Sequence, residues 1–334
     1  MADKVLFAGG SGVVGQRAAK AFRARHPDVP FLIGGRDLGK AEAIAKLLGN
    51  AEAVQIDTGL PRLGLEQDVP LLAIAMMVPD AGLHGMRLAQ DLGIPYLSIG
   101  NWLLDVGAEM AQFIRQPAAA PIVLASHWHG GPTTFLALKT AQGLDSVTSI
   151  RIAVVVDDQD ETGPAAIEDM DAGASGSFGV QAYEGGKRVW LNGDATRSTL
   201  ATLDGRTLAG TAFAPYDIAG LAAATAARSI RMNLGMGASS SRLRRDGVGT
   251  EVLLDIEGEI GGQQVLRHST FEFTKGQATL TGISTALSLS TVLGLEENDR
   301  SAPGLYFPET LMDPDWFLEQ LRQAGATCEV GDGA

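Results

Sequence analysis

The sequence predicts an α/β protein, a doubly wound parallel sheet with an inserted α+β domain, on three observations. Up to about residue 145, short apolar runs alternate with longer amphipathic ones, as strands and crossover helices do in a parallel sheet. A glycine string lies between the first apolar run and the first amphipathic one. From about Ser149 the pattern becomes apolar–polar alternation, which marks half-exposed antiparallel strands. At 334 residues the chain exceeds the roughly 250–300 residues at which a single core stops growing, so more than one domain is expected.

In the first domain, strands are expected at 4–8, 30–34, 53–56, 71–77, 96–99 and 121–125, each apolar on both faces as buried parallel strands are. Helices are expected between them at 14–25, 39–48, 82–92 and 108–115, where apolar residues recur at helical spacing. Six such strands make a full Rossmann sheet. The second domain should hold strands at 150–156, 187–191, 251–256 and 264–273, and helices at 218–229 and 282–293. A polar, glycine-rich stretch at 173–179 reads as a mobile loop or lid. Asp313 and Pro314 open a last helix, followed by a strand at 326–330, and this segment is expected to return to the first domain. The expected boundaries are 1–130, 131–300 and 301–334.

Composition narrows the function classes. Hydrophobic residues make up 45% of the chain and charged residues 19%, the balance of a folded globular protein rather than a disordered one. A net charge of -13 opposes a sequence-independent grip on nucleic acid, which rests on Lys and Arg neutralising phosphates. The one cysteine, Cys328, excludes an internal disulfide and a multi-thiolate zinc site, and fits a reducing, cytoplasmic compartment. No signal peptide is read at the N-terminus. The most apolar run, 71–78, falls far short of the roughly 20 residues that span a bilayer, so no membrane span is expected.

The string Gly9, Gly10, Ser11, Gly12, Val13, Val14, Gly15 stands between a strand and a helix, the context that makes a phosphate-binding loop. One glycine permits the tight turn, Gly12 lets the backbone approach a pyrophosphate, and Gly15 allows close helix–strand packing. The helix N-terminus then offers unpaired N–H donors to the anion. A dinucleotide cofactor follows. At the end of the second strand, where an NAD enzyme places a carboxylate on the ribose, this chain reads Gly34, Gly35, Arg36. A guanidinium there suits the 2′-phosphate of NADP, with Lys40 one turn further on able to share it. The alternative is that Arg36 is a solvated charge and Asp37 takes the ribose of NAD; NADP is the favoured cofactor.

Ligands of an open parallel sheet lie beyond the carboxyl ends of its strands. Those loops place Asp57 with the adenosine half, Val78 and Pro79 along the cofactor, and Asn101, Trp102, His127, Trp128 and His129 toward a small-molecule substrate. His127 and His129 are the candidate catalytic residues, as proton relays near neutral pH. Packing of the domain junction is the equally weighted alternative. A metal at His127 and His129 is rejected, because alternate residues of an extended segment face opposite ways. Asp217, Arg228 and Arg231 are left unassigned.

Four stretches in order, GGSGVVG at 9–15, LIGGRDLGKAEAIAKLLG at 32–49, LAQDLGIPYLSIGNW at 88–102 and HGGPTTFLALKTA at 129–141, resemble the saccharopine dehydrogenase superfamily. The resemblance implies an NADP- or NAD-linked oxidoreductase, often a homodimer, with a substrate/dimerisation domain inserted before a C-terminal segment that returns to the cofactor domain. Members commonly form or oxidise a carbon–nitrogen bond through an imine. The chain departs from that pattern at Tyr96, Leu97, Ser98, Ile99, Gly100, Asn101, where the superfamily often reads Tyr-Asp-x-x-Gly-Glu. It departs again at Thr133, where a glycine often follows the proline. Both departures point away from saccharopine itself. The expected activity is hydride transfer between NADP(H) and an imine or secondary amine. The competing readings are carbonyl or enoyl reduction on the same scaffold, and a redox sensor that binds NADP without turnover.

Overall fold

The computed structural model describes residues 3–100, 102–161, 163, 179–296 and 299–331. They divide into two compact units. The first unit contains the described residues up to Gly130 together with Gly163 and those of 281–312. Its strands β1 (Lys4–Ala8), β2 (Phe31–Gly35), β3 (Ala51–Gln55), β4 (Leu71–Met76), β5 (Tyr96–Ser98) and β6 (Pro121–Leu124) lie in the order β6-β5-β4-β1-β2-β3, all parallel. The crossovers are helices α1 (Val13–Arg25), α2 (Leu38–Leu48), α3 (His84–Leu92) and α4 (Val106–Arg115). The order reverses between β1 and β4, and at such a switch point the carboxyl ends of the strands open a crevice.

Burial explains why these runs are strands. Val5, Phe7, Phe31, Ile33, Ala75, Leu97 and Val123 are fully enclosed, with Phe7 edge-on to Phe31 at 5.1 Å. The expectation that every strand is apolar on both faces fails at β3, which forms the sheet edge and leaves Glu52 and Gln55 exposed. Helix α3 starts at His84 rather than 82, because Leu83 takes a left-handed φ of 52° and the Asp80 carboxylate accepts from the N–H groups of Gly85 and Met86.

One side chain ties the far end of this unit together. Arg23 donates to the carbonyls of Pro27 at 2.8 Å, Val29 at 2.6 Å, Gly49 at 3.1 Å and Asn50 at 3.0 Å, and its guanidinium carbon lies 3.8 Å over the Phe31 ring. It therefore joins the end of α1 to the end of α2. Losing several charge-assisted bonds and a cation–π contact, Arg23→Ala should lower stability by about 2–3 kcal/mol. A urea unfolding midpoint equal to the parent's would contradict this.

The second unit contains α5 (Pro132–Ala141), β7 (Ser146–Asp157), β8 (Val180–Glu184), β9 (Lys187–Leu191), β10 (Arg197–Ala201), β11 (Thr207–Ala212), α6 (Tyr216–Thr225), β12 (Ser229–Gly237), α7 (Ser240–Arg244), β13 (Thr250–Ile260) and β14 (Gln263–Phe273). The sheet order is β10-β11-β12-β7-β13-β14, with β8 on β12 and β9 on β8. The pair β12–β7 is parallel; every other described pair in this sheet is antiparallel. The helix expected at 218–229 is corrected. It stops at Thr225, Ala226 turns left-handed at φ 53°, and Ser229 already pairs with Ser149 as the start of β12. The run Ile230, Met232, Leu234 buries alternate residues, a period-2 pattern that the alanine-rich stretch before it had masked. Of the stretch expected as a lid at 173–179, residues 173–178 lie outside the described residues.

The C-terminal part divides between the units. After helix α8 (Gln277–Val292), strand β15 (Gly304–Tyr306) joins β6 as a seventh parallel strand of the first sheet. Helix α9 (Pro314–Gln323) begins on an Asp313 cap, and β16 (Thr327–Val330) follows. The expected return of 301–334 to the first domain is therefore corrected for its second half. β16 pairs antiparallel with β14, and Phe317 of α9 stacks on Phe135 of α5 at 3.9 Å, so 313–331 belongs to the second unit.

Candidate active site

The glycine string folds as the turn between β1 and α1. Gly9 holds φ 82°, with Val78 Cγ1 2.6 Å from where a Cβ would stand, so this position needs glycine twice over. A Cβ on Gly10 would lie 2.8 Å from the Phe7 carbonyl, and one on Gly15 2.2 Å from the Gly9 carbonyl. Gly12 differs. Its nearest neighbour would be the Gly9 oxygen at 3.2 Å, and it is the N-cap of α1 with no side chain capping the helix. The structure thus separates roles that the sequence leaves ambiguous: Gly9 turns, Gly10 and Gly15 let backbones meet, and Gly12 leaves the helix end open. The N–H groups of Val13, Val14 and Gly15, the first turn of α1, have no intrahelical acceptors by helix geometry. These residues suit a pyrophosphate.

Arg36 follows β2 directly and is exposed, and Ser11 Oγ comes within 3.0 Å of where a Gly35 Cβ would be, so the loop and the Arg36 segment adjoin. Asp37 is the N-cap of α2. Its Oδ1 accepts from the Lys40 N–H at 3.1 Å, while the Lys40 ammonium, three-quarters exposed, sits 3.9 Å from Oδ2. The carboxylate beside Arg36 in this turn thus caps α2 through one of its two oxygens. Asp57 is likewise engaged in its own turn, accepting from Gly59 N at 2.8 Å. Val78 covers Gly9, and a Cβ on Gly100 would lie 3.0 Å from Pro79 N, which brings the ends of β4 and β5 beside the loop. Asn101 lies outside the described residues.

The two histidines both come at the carboxyl end of β6, but neither stands in solvent. His127 has its side chain fully buried, its Nε2 3.2 Å from Glu309 Oε2 and its ring edge-on to Phe307 at 5.1 Å. Sequence reasoning missed Glu309. It sits in a one-turn helix, Pro308–Thr310, just after the three-residue β15, which is too short for a periodicity. His129 is 8% exposed and takes a left-handed φ of 48°, a strained position for a residue with a side chain. Its ring lies 4.1 Å from that of Trp128, and its Nδ1 is 3.4 Å from Thr281 Oγ1.

Burial pushes the His129 pKa down to about 3, so the ring is neutral near neutral pH. Because the folded pKa is depressed, the unfolded chain binds more protons between about pH 3 and the ordinary histidine value of 6.5. This group's contribution is fully present above 6.5 and is lost as pH falls toward 3. We predict that His129→Gln loses less stability than the parent between pH 7 and pH 4.5; parallel losses in denaturant titrations would contradict it.

The residues left unassigned in the second unit are engaged structurally. Asp217 is fully buried and accepts from Thr133 Oγ1 and, at 2.7 Å, from Thr134 Oγ1 in the first turn of α5, where a helix end favours negative charge. Arg231 donates to the Ala195 carbonyl at 2.9 Å and to Asn233 at 3.0 Å. Among the described residues no cluster of three or more His, Cys, Asp or Glu could hold a metal, and no helix is long and apolar enough to cross a membrane.

No protein-family model and no curated protein matches the sequence. Solved structures do. An apo saccharopine dehydrogenase (L-Glu forming) from Saccharomyces cerevisiae superposes with TM-score 0.68 at 13% identity, over 99% of this chain and 100% of that one. A myo-inositol dehydrogenase from Corynebacterium glutamicum gives 0.46 at 12% identity, covering 98% and 99%. A scyllo-inositol dehydrogenase from Lactobacillus casei gives 0.47 at 14% identity, covering 98% and 99%. The chain has a saccharopine dehydrogenase-like fold, an α/β Rossmann-type architecture carrying a second, mixed sheet.

Proposed function

We propose that the protein is an NADP(H)-dependent oxidoreductase that transfers a hydride to or from a carbon–nitrogen bond of a small, amino-acid-like substrate. One observation carries the cofactor: an uncapped helix N-terminus behind a glycine turn adjoins an exposed Arg36, beside an Asp37 that caps α2 through Oδ1. On a chain of net charge -13, a polyanionic cofactor needs such a local concentration of donors. Val13, Val14 and Gly15 bind the pyrophosphate, Arg36 and Lys40 the 2′-phosphate, and Val78 and Pro79 line the path toward the nicotinamide. When bound, the nicotinamide supplies the hydride or receives it.

The state of His129 favours the carbon–nitrogen reading. An iminium already carries its proton, so hydride addition to carbon yields the amine directly, whereas a carbonyl needs a proton delivered to oxygen. A ring with a pKa of about 3 orients a substrate but does not supply that proton near neutral pH. The buried His127–Glu309 pair is the observation on the other side, since it places an imidazole Nε2 3.2 Å from a carboxylate oxygen at the end of β6. Oxidation of NADPH with a panel of keto acids, with and without amines, decides. Turnover only with both components supports imine reduction. Turnover with the carbonyl alone shifts the reading to carbonyl reduction, and cofactor binding without any turnover would indicate a sensor.

A further inference from the structure

Helix α8 carries a row of hydroxyls, most of which have a partner, as Ser290 has in His26 Nε2 at 2.7 Å. Thr285, Ser288 and Thr291 each donate to the carbonyl one turn back, at 2.7, 3.1 and 3.0 Å. Ser284 does not. Its Oγ is buried and has no hydrogen-bond partner among the described residues. Ser284 faces Gly130, where an added Cβ would stand 2.8 Å from its Cβ and 3.7 Å from its Oγ. One residue before, the His129 Nε2 is also buried without a partner, on a ring whose Nδ1 lies 3.4 Å from Thr281 Oγ1. Thr281 and Ser284 are three residues apart and so share a helix face. The 129–130 turn and one face of α8 therefore oppose each other, and each carries a buried polar atom with no partner among the described residues, a state that folded proteins resolve with a ligand or an ordered water.

We propose that His129 Nε2 and Ser284 Oγ hold an uncharged carboxamide-type group, either the carboxamide of the nicotinamide ring or an amide of the substrate. The inference rests on the reading of the protein as a nicotinamide enzyme. A neutral imidazole nitrogen and a hydroxyl can each donate or accept, which matches a group offering a carbonyl oxygen and an N–H together. A carboxylate at the same place finds no counter-charge in either atom and bears the cost of a buried charge. The turn follows the carboxyl end of β6, where ligands of a parallel sheet lie. Both atoms are shielded from solvent, and Gly130, at φ 78° and without a side chain, is what lets the turn approach α8 this closely.

The test is calorimetric titration of the parent, Ser284→Ala and His129→Asn with NADP+ and with its acid analogue, which carries a carboxylate in place of the carboxamide. Both share the pyrophosphate and 2′-phosphate, so if neither binds the parent it is the cofactor reading that has failed. The expected result is at least a tenfold preference of the parent for NADP+, with both variants weakening NADP+ binding three- to tenfold and leaving the acid form nearly unchanged. If the variants bind both nucleotides as the parent does, the substrate source requires that acetamide, followed by saturation-transfer NMR, bind the parent–NADP+ complex but not that of Ser284→Ala. Variants that match the parent in every titration overturn the proposal and leave a trapped water as the partner of both atoms.

Discussion

Gly12→Val should abolish tight binding of NADPH while leaving the protein folded. Gly12 has φ -77° and ψ 174°, a conformation valine adopts readily, and an added Cβ meets nothing closer than the Gly9 oxygen at 3.2 Å. The fold has little reason to object. The branched side chain instead covers the open end of α1 and keeps the pyrophosphate from its N–H donors. With two charge-assisted bonds lost at about 1.5–3 kcal/mol each, affinity should fall by roughly a hundredfold or more. Gly15→Ala is the contrasting control. Its Cβ would stand 2.2 Å from a backbone oxygen, so that variant should lose thermal stability as well as binding. If Gly12→Val is folded by circular dichroism and binds NADPH as the parent does, the pyrophosphate is held elsewhere.

Arg36→Ala should erase most of a preference for NADPH over NADH. An Arg–phosphate pair is worth about 1.5–3 kcal/mol, which corresponds to a preference of roughly ten- to a hundredfold in the parent. The expected pattern is selective: NADPH weakens by nearly that factor and NADH hardly at all. Lys40 is three-quarters exposed and one turn along α2, so it retains part of the phosphate's attraction and Arg36→Ala/Lys40→Ala should complete the loss. Asp37 supplies a second check. Its carboxylate caps α2, so Asp37→Ala should reduce stability by about 1 kcal/mol without converting the protein to NADH. A parent that binds NADH at least as well as NADPH would contradict the role given to Arg36, as would an Arg36→Ala variant that loses both cofactors equally.

The first sheet was legible because its chemistry is local. Parallel strands enclosed on both sides read as short apolar runs, and β1, β2 and β4 fall within a residue of where those runs stand at one or both ends. The glycine turn was legible for the same reason, since strand, glycines and helix are contiguous. The second unit was less so. Strands β8, β10, β11 and β12 were not anticipated, because alanine and glycine flatten the alternation in β11 and the alanines before β12 imitate a helix. Partners from distant sequence were out of reach altogether. Nothing around Glu309 announces that it meets His127, and nothing around Ser284 distinguishes it from the hydroxyls that follow it until the 129–130 turn is laid against α8. The histidines themselves were found by position, at the end of β6, but their burial and the neutral state of His129 are properties of the packing.

Hydrogen–deuterium exchange of the parent with and without saturating NADPH tests the central claim most directly, because it locates the cofactor rather than merely detecting it. NADPH should slow exchange in the peptides covering 9–16 and 34–41, and NADH at equal saturation should slow the first while leaving the second nearly unchanged. Protection confined to other segments, or none in 9–16 with either nucleotide, would contradict the assignment of this loop and of Arg36 to NADP(H).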